Sequence, residues 1–153
     1  MTTAKVCHIV LTTARLQDLE ALVALRIAAM RASLERIGRF DPVRSRERFV
    51  AGFTPEETRH IEFGGERVGF VVVKVCNEGL LLDHLYIHPD FQGRGFGAAV
   101  LQQVFARADD AALPVRVGAL RGSDSNRFYQ RHGFVLVDES EWDIYYMRDA
   151  GPC

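Results

Sequence analysis

The chain is short of cysteine, of net charge and of long apolar runs, and each shortage closes off a class of protein. Three cysteines, Cys7, Cys76 and Cys153, among 153 residues are too few and too scattered for a disulfide framework or a zinc site. A reducing compartment fits them, and Cys76, inside an apolar stretch, reads as a small buried hydrophobe. No apolar run approaches the ~20 residues needed to span a bilayer. Met1 to Lys5 carry no signal-peptide pattern. The expectation is a soluble, cytoplasmic chain that needs no membrane. A formal net charge of -1 argues against a nucleic-acid binder. Internal repeats, linkers, low-complexity segments and metal-ligand clusters are missing as well.

What remains is an ordinary globular composition, 48% apolar and 25% charged. The length suits one domain, over residues 1–153, with a real core. Residues 5–12 read as a strand. Leu19, Leu22, Val23, Ile27, Met30 and Leu34 recur at helical steps and mark one apolar face. Gly38 and Asp41-Pro42 interrupt that helix, and a shorter one follows over 43–51. Strands are expected at 58–63 and 66–76 around Gly64-Gly65, then at 80–88. The apolar run 68–75 suggests a sheet covered on both faces. A helix through about 108 comes next, then a strand at 114–120, a helix at 124–132 ending at Gly133, and closing strands at 134–138 and 142–148. Asp109 and Asp110 sit at a helix end where the dipole disfavours acids, and the sequence offers no reason for them. Arg26, Arg31, Arg36, Arg39, Arg44, Arg46 and Arg48 crowd one stretch. They form either a solvated helical face or a site for an anionic group.

The run from Leu85 to Gly97 (LYIHPDFQGRGFG) carries the strongest local signal. A strand ends at Pro89, a glycine-studded turn follows, and a helix opens at about Gly95. Gly93, Gly95 and Gly97 let the turn bend and let a ligand approach the backbone. The first N–H groups of the helix lack intrahelical partners, and its dipole adds about half a positive charge there. Such a cradle suits a pyrophosphate, with Arg94 available for a charge-assisted contact. A dinucleotide-binding Rossmann fold is disfavoured, because its glycine turn follows an early first strand and this one falls mid-chain.

Gln92-Gly93-Arg94-Gly95-Phe96-Gly97 resembles the acyl-CoA motif of the GNAT superfamily of N-acyltransferases. Phe128-Tyr129-Gln130-Arg131-His132-Gly133-Phe134 resembles the closing signature of the same family, and the element order agrees along nearly the whole chain. The resemblance implies an α+β, three-layer α/β/α fold. Its mixed, mainly antiparallel sheet has about seven strands with helices on both faces, and a splayed strand pair at 80–88 and 114–120 binds CoA. It implies acetyl-CoA as co-substrate, with no metal. Leu85, Tyr86 and Ile87 match the positions whose backbone pairs with pantetheine. Gln92, Gly93, Arg94, Gly95, Phe96, Gly97 and Ala98 surround the pyrophosphate site. Where many relatives carry a CoA-contacting Asn, this chain has Gly122 and Ser123. Ser123 or Asn126 is then the replacement, although Ser123 also suits a helix N-cap.

The resemblance also implies the chemistry. Tyr129 matches the general acid near the cofactor sulfur, and a phenol with a pKa of about 10 still carries its proton at neutral pH. Asp83 and His84 are the candidates for general base, with a water chain as the alternative. Neighbours on a strand point to opposite faces, so only one of the two is expected to face the acceptor. Arg31, Glu35, Arg39, Phe40, Trp142, Tyr145 and Tyr146 are the candidate lining of the acceptor pocket. The implied function is acetyl transfer to a primary amine, on a small molecule or a protein, by direct attack in a ternary complex. The alternative is a non-catalytic acyl-CoA sensor. The terminal strands are the expected contact if the chain forms a homodimer.

Overall fold

The structure, a computed structural model, describes residues 8–151. Cys7 and Cys153, and the start of the strand expected from residue 5, lie outside them. Seven strands form one sheet in the order β1-β2-β3-β4-β5-β7-β6. They are β1 (Val10–Thr13), β2 (Thr58–Phe63), β3 (Glu66–Cys76), β4 (Gly79–Ile87), β5 (Val115–Leu120), β6 (Val135–Glu139) and β7 (Asp143–Arg148). All neighbours are antiparallel except β4 and β5. The helices are α1 (Leu19–Arg36), α2 (Pro42–Ala51), α3 (Phe96–Asp110) and α4 (Ser125–Arg131). This is the mixed, mainly antiparallel α+β sheet expected from sequence. No helix among the described residues is long and apolar enough to cross a membrane.

Two apolar clusters fasten the layers. On one face, Leu22 and Val23 of α1 and Phe49 of α2 pack on Phe70 and Val72 of β3. On the other, Val100, Leu101, Val104, Phe105 and Ala108 of α3 pack on Val71, Leu80, Leu82, Val115 and Val117. Residues of β3 thus bury against helices on both sides, the reason 68–72 reads as a continuous apolar run. The run overreaches at its end. Val75 and Cys76 are exposed, so Cys76 is not a buried hydrophobe. It pairs with Gly79 beside the Asn77-Glu78 turn, at the exposed end of β3.

Local chemistry sets the helix ends. Pro42 opens α2, and the Asp41 side chain accepts from the Arg44 N–H at 3.1 Å, a standard N-cap. α3 runs on to Asp110, two residues past the expected end, and its acidic terminus has a cause. Asp109 takes two hydrogen bonds from the Arg148 guanidinium, at 2.9 and 3.2 Å, and one from the Gly151 N–H at 2.7 Å. The Arg148 bonds hold its carboxyl below the usual range, with the Gly151 N–H adding to the effect. The acid therefore joins the end of α3 to β7, and a specific cation outweighs the unfavourable dipole. α4 begins at Ser125, one residue late, after Asp124 and without a side-chain cap; Ser123 is not its N-cap.

Leu101 is fully buried in the larger cluster. Leu101→Ala should lower unfolding free energy by about 2–5 kcal/mol, read from urea denaturation.

Candidate active site

The site begins where two strands part. β4 and β5 pair in parallel only between Leu80–Leu82 and Val115–Val117. Past that point β4 follows β3 as far as Ile87, and β5 follows β7 as far as Leu120. The backbone of Leu85, Tyr86 and Ile87 therefore has a strand partner on one side only. The gap opens into a cavity of about 520 Å³ that runs from Leu82–Ile87 to Gly93 and the first turn of α3. Val117–Leu120, Ser123, Phe128 and Tyr129 line the opposite wall.

The glycine turn forms one end of this cavity. Gly93 and Gly95 have φ of +76° and +84°, and a Cβ on either meets nothing within 4 Å. Both are required by backbone conformation, and the space before them is open to a ligand. Gly97 differs: its Cβ would stand 3.1 Å from the Phe128 ring. That glycine lets α4 pack on the first turn of α3, so its role is not confined to the ligand face. Gln92 turns inward, and its Nε2 donates to the Ile87 carbonyl at 2.9 Å. It thereby braces the turn. Phe96 and Ala98 line the cavity, and Arg94 does not. The Arg94 guanidinium lies over the rings of Phe96, Phe63 and Phe91, 5.2–5.9 Å from their centroids. The open cradle, unpaired strand edge and helix N-terminus fit a pyrophosphate on an extended arm.

Ser123 and Asn126 separate clearly. The Asn126 amide donates to the carbonyls of Leu120 and Ser123, both at 2.9 Å, and to Ser123 Oγ at 3.3 Å. Its Oδ1 accepts from the Tyr146 hydroxyl at 2.8 Å. Its bonding capacity goes to joining α4 to β5 and β7, whereas Ser123 faces the cavity.

A second cavity of about 1080 Å³ lies between α1, α2 and the sheet. Met30, Leu82, Asp83, His84, Tyr86, Val117, Gly118 and Leu120 border both cavities, so the two spaces meet at the parting of β4 and β5. Of the residues offered as acceptor-pocket lining, Arg39, Phe40, Trp142, Tyr145 and Tyr146 line the second cavity. Arg31 and Glu35 do not; they pair with each other at 2.7 Å on the exposed side of α1. Arg26, Arg44, Arg48, Asp138 and Asp143 also line it. The arginine-rich stretch therefore divides: Arg31 and Arg46 form surface pairs, and Arg26, Arg39, Arg44 and Arg48 face the cavity.

Asp83 and His84 both face the junction, contrary to simple strand alternation. Val72 pairs with His84 and Val73 with Leu82, so Asp83 is an extra residue in β4. That bulge turns it toward the same side as His84, and Asp83 Oδ2 lies 3.7 Å from His84 Nε2 and 3.2 Å from Lys74 Nζ. His84 Nδ1 is 3.2 Å from the Tyr86 hydroxyl, and its ring packs against Phe49 at 5.3 Å. Burial pushes the imidazole down to about 4 despite the pull of Asp83, and Arg26 and Lys74 depress it further. His84 is thus neutral at physiological pH and holds a proton poorly. Burial raises the Tyr129 hydroxyl well above the phenol range, and Tyr86 adds to this. Tyr129 keeps its proton.

A family model described as an acetyltransferase (GNAT) domain matches residues 55–136. The chain belongs to the GNAT acetyltransferases. The fold has solved counterparts. An N-acetyltransferase, PaiA, from Thermoplasma acidophilum, in complex with coenzyme A, superposes with a TM-score of 0.71 at 15% identity, over 93% of this chain and 99% of that one. An acetyltransferase from Thermus thermophilus gives 0.72 at 21% identity, over 94% and 98%. N-acetylglutamate synthase from Neisseria gonorrhoeae, complexed with coenzyme A and N-acetyl-glutamate, gives 0.69 at 18% identity, over 97% of this chain and 37% of that larger one. No curated protein matches the chain.

The low His84 value fixes a sign. The unfolded chain takes up this proton near 6.5 and the folded chain only near 4. The stabilisation is complete above 6.5 and is lost as pH falls toward 4. Urea unfolding across that range should show a loss of roughly 2–3 kcal/mol. Burial also lowers His132, which adds in the same direction. His84→Phe, which keeps an aromatic ring against Phe49, should remove most of the dependence.

Proposed function

We propose that this acetyltransferase moves the acetyl group of acetyl-CoA to a primary amine by direct attack in a ternary complex. The observation that carries the reading is the junction of two cavities, one beside a phosphate-type cradle and the other beside an acceptor-sized space, at Asp83, His84 and Tyr86. Holding two reactants together at such a junction supplies much of a transfer rate.

Bound acetyl-CoA supplies the acetyl group as an activated thioester. The chain provides the rest. The N–H groups of Gly93 to Ala98 hold the pyrophosphate, with the Ser123 hydroxyl on the opposite wall. The one-sided backbone of Leu85–Ile87 pairs with the pantetheine amides as an added strand would. Backbone on the open edge of β4, toward its Asp83 end, polarises the thioester carbonyl and stabilises the charge developing on its oxygen. Tyr129, protonated because it is buried, donates to the departing sulfur. Asp83 attracts the cationic amine and takes its proton directly or through water. His84, neutral at working pH, orients rather than stores a proton.

Two measurements test this. Gly95→Asn keeps a residue that tolerates positive φ but adds a side chain to the cradle; calorimetry should show CoA affinity falling by about tenfold or more. Unchanged affinity contradicts the cradle. Tyr129→Phe keeps the ring and removes the proton, so kcat should fall by about a hundredfold with CoA affinity held. Full turnover in that variant rules out the acid role. Tight CoA binding by the unaltered protein, with no turnover on a broad amine panel, points instead to a sensor.

A further inference from the structure

The second cavity is electrically two-sided. Arg26, Arg44 and Arg48 of the two helices and Arg39 of the loop between them line one wall, with Asp41 beside them; Asp83, Asp138 and Asp143 line the sheet side, together with Arg116, which pairs with Glu78. Among the described residues, none of the four arginines on the first wall has a carboxylate within ion-pair distance. The nearby Asp41 side chain accepts from the Arg44 backbone N–H.

Arg26 is the best placed of the four. It is half-buried on α1, with its guanidinium 5.8 Å from the Tyr86 ring centroid, beside the junction with the first cavity. Its Nη1 makes a 3.5 Å contact with the Ser45 carbonyl, and its charge and hydrogen bonding act on the Tyr86 hydroxyl against the effect of burial. Its Nε is fully buried and has no partner among the described residues. Arg26 lines the cavity, and a guanidinium matches a carboxylate. The aspartates across the cavity disfavour a polyanion and suit the cationic end of a ligand.

We propose that the acceptor is amino-acid-like, a small molecule carrying a carboxylate as well as its reactive amine, and that Arg26 binds the carboxylate while the amine faces Asp83. This rests on the acetyl-transfer reading and adds the acceptor's class. Arg39, stacked at 4.1 Å over Trp142, and the two α2 arginines supply the attracting field around that contact.

The test sets a panel of amino acids against their decarboxylated amines, for example methionine with 3-(methylthio)propylamine and phenylalanine with phenethylamine, with release of the CoA thiol as readout. The expected result is an acid turned over with kcat/KM about tenfold or more above its amine. Arg26→Gln should erase that ratio chiefly through KM, and Arg26→Lys should restore part of it. CoA affinity measured by calorimetry reports that the variants are folded. Amines turned over as well as the acids throughout, or a preference that survives Arg26→Gln, overturns the inference and leaves acetyl transfer standing. Turnover of neither series, with CoA bound, overturns acetyl transfer to these acceptors and the inference with it.

Discussion

The parting of β4 from β5 is the constraint on which the rest of this structure depends. The two strands share only three parallel pairs before each follows its other neighbour. β5 keeps all six of its residues registered on β7, and β4 stays with β3 through Ile87. The bulge at Asp83 falls just where the parting begins. Backbone polar groups facing such a gap require partners from water or ligand, so the break in one ladder creates the edge on which an extended arm can be received. It also creates the junction, because a continuous ladder would close the opening between the two cavities.

Much of this was legible in the sequence, for physical reasons. Strands at 58–63 and 66–76 appear as expected because Gly64-Gly65 punctuates them and their apolar pattern is unambiguous. The glycine turn could be read because the backbone conformation at Gly93 and Gly95 restricts the residue type. That Asp83 and His84 share one side at the junction could not be read. It depends on a one-residue bulge, and a bulge leaves no periodicity of its own. Asp109 looked misplaced because its cation, Arg148, lies far along the chain. Cys76 looked buried because an apolar run does not tell where burial ends along a strand. Asn126 looked available because the Tyr146 hydroxyl that occupies it comes from another strand.

The two halves of the site stand differently toward the family. The matched residues, 55–136, hold the glycine turn, β4, β5 and Tyr129. They leave out α1, α2 and β7, which supply Arg26, Arg44, Arg48, Asp143 and Tyr145 to the second cavity, and the flanking Arg39 and Trp142. A shared cofactor needs a shared cradle, whereas an acceptor is met by whatever side chains the flanking elements present. The arginine stretch lies outside the matched residues. Only folding sorts its members into surface pairs and cavity lining.

The measurement that bears most directly on the central claim is hydrogen exchange of backbone amides with and without CoA. The account predicts slowed exchange in two segments, Leu85–Ile87 along the open edge of β4 and Gly93–Ala98 in the turn, while the exposed edge strand β6 is unchanged. CoA binding that leaves both segments exchanging at their free rates would contradict it.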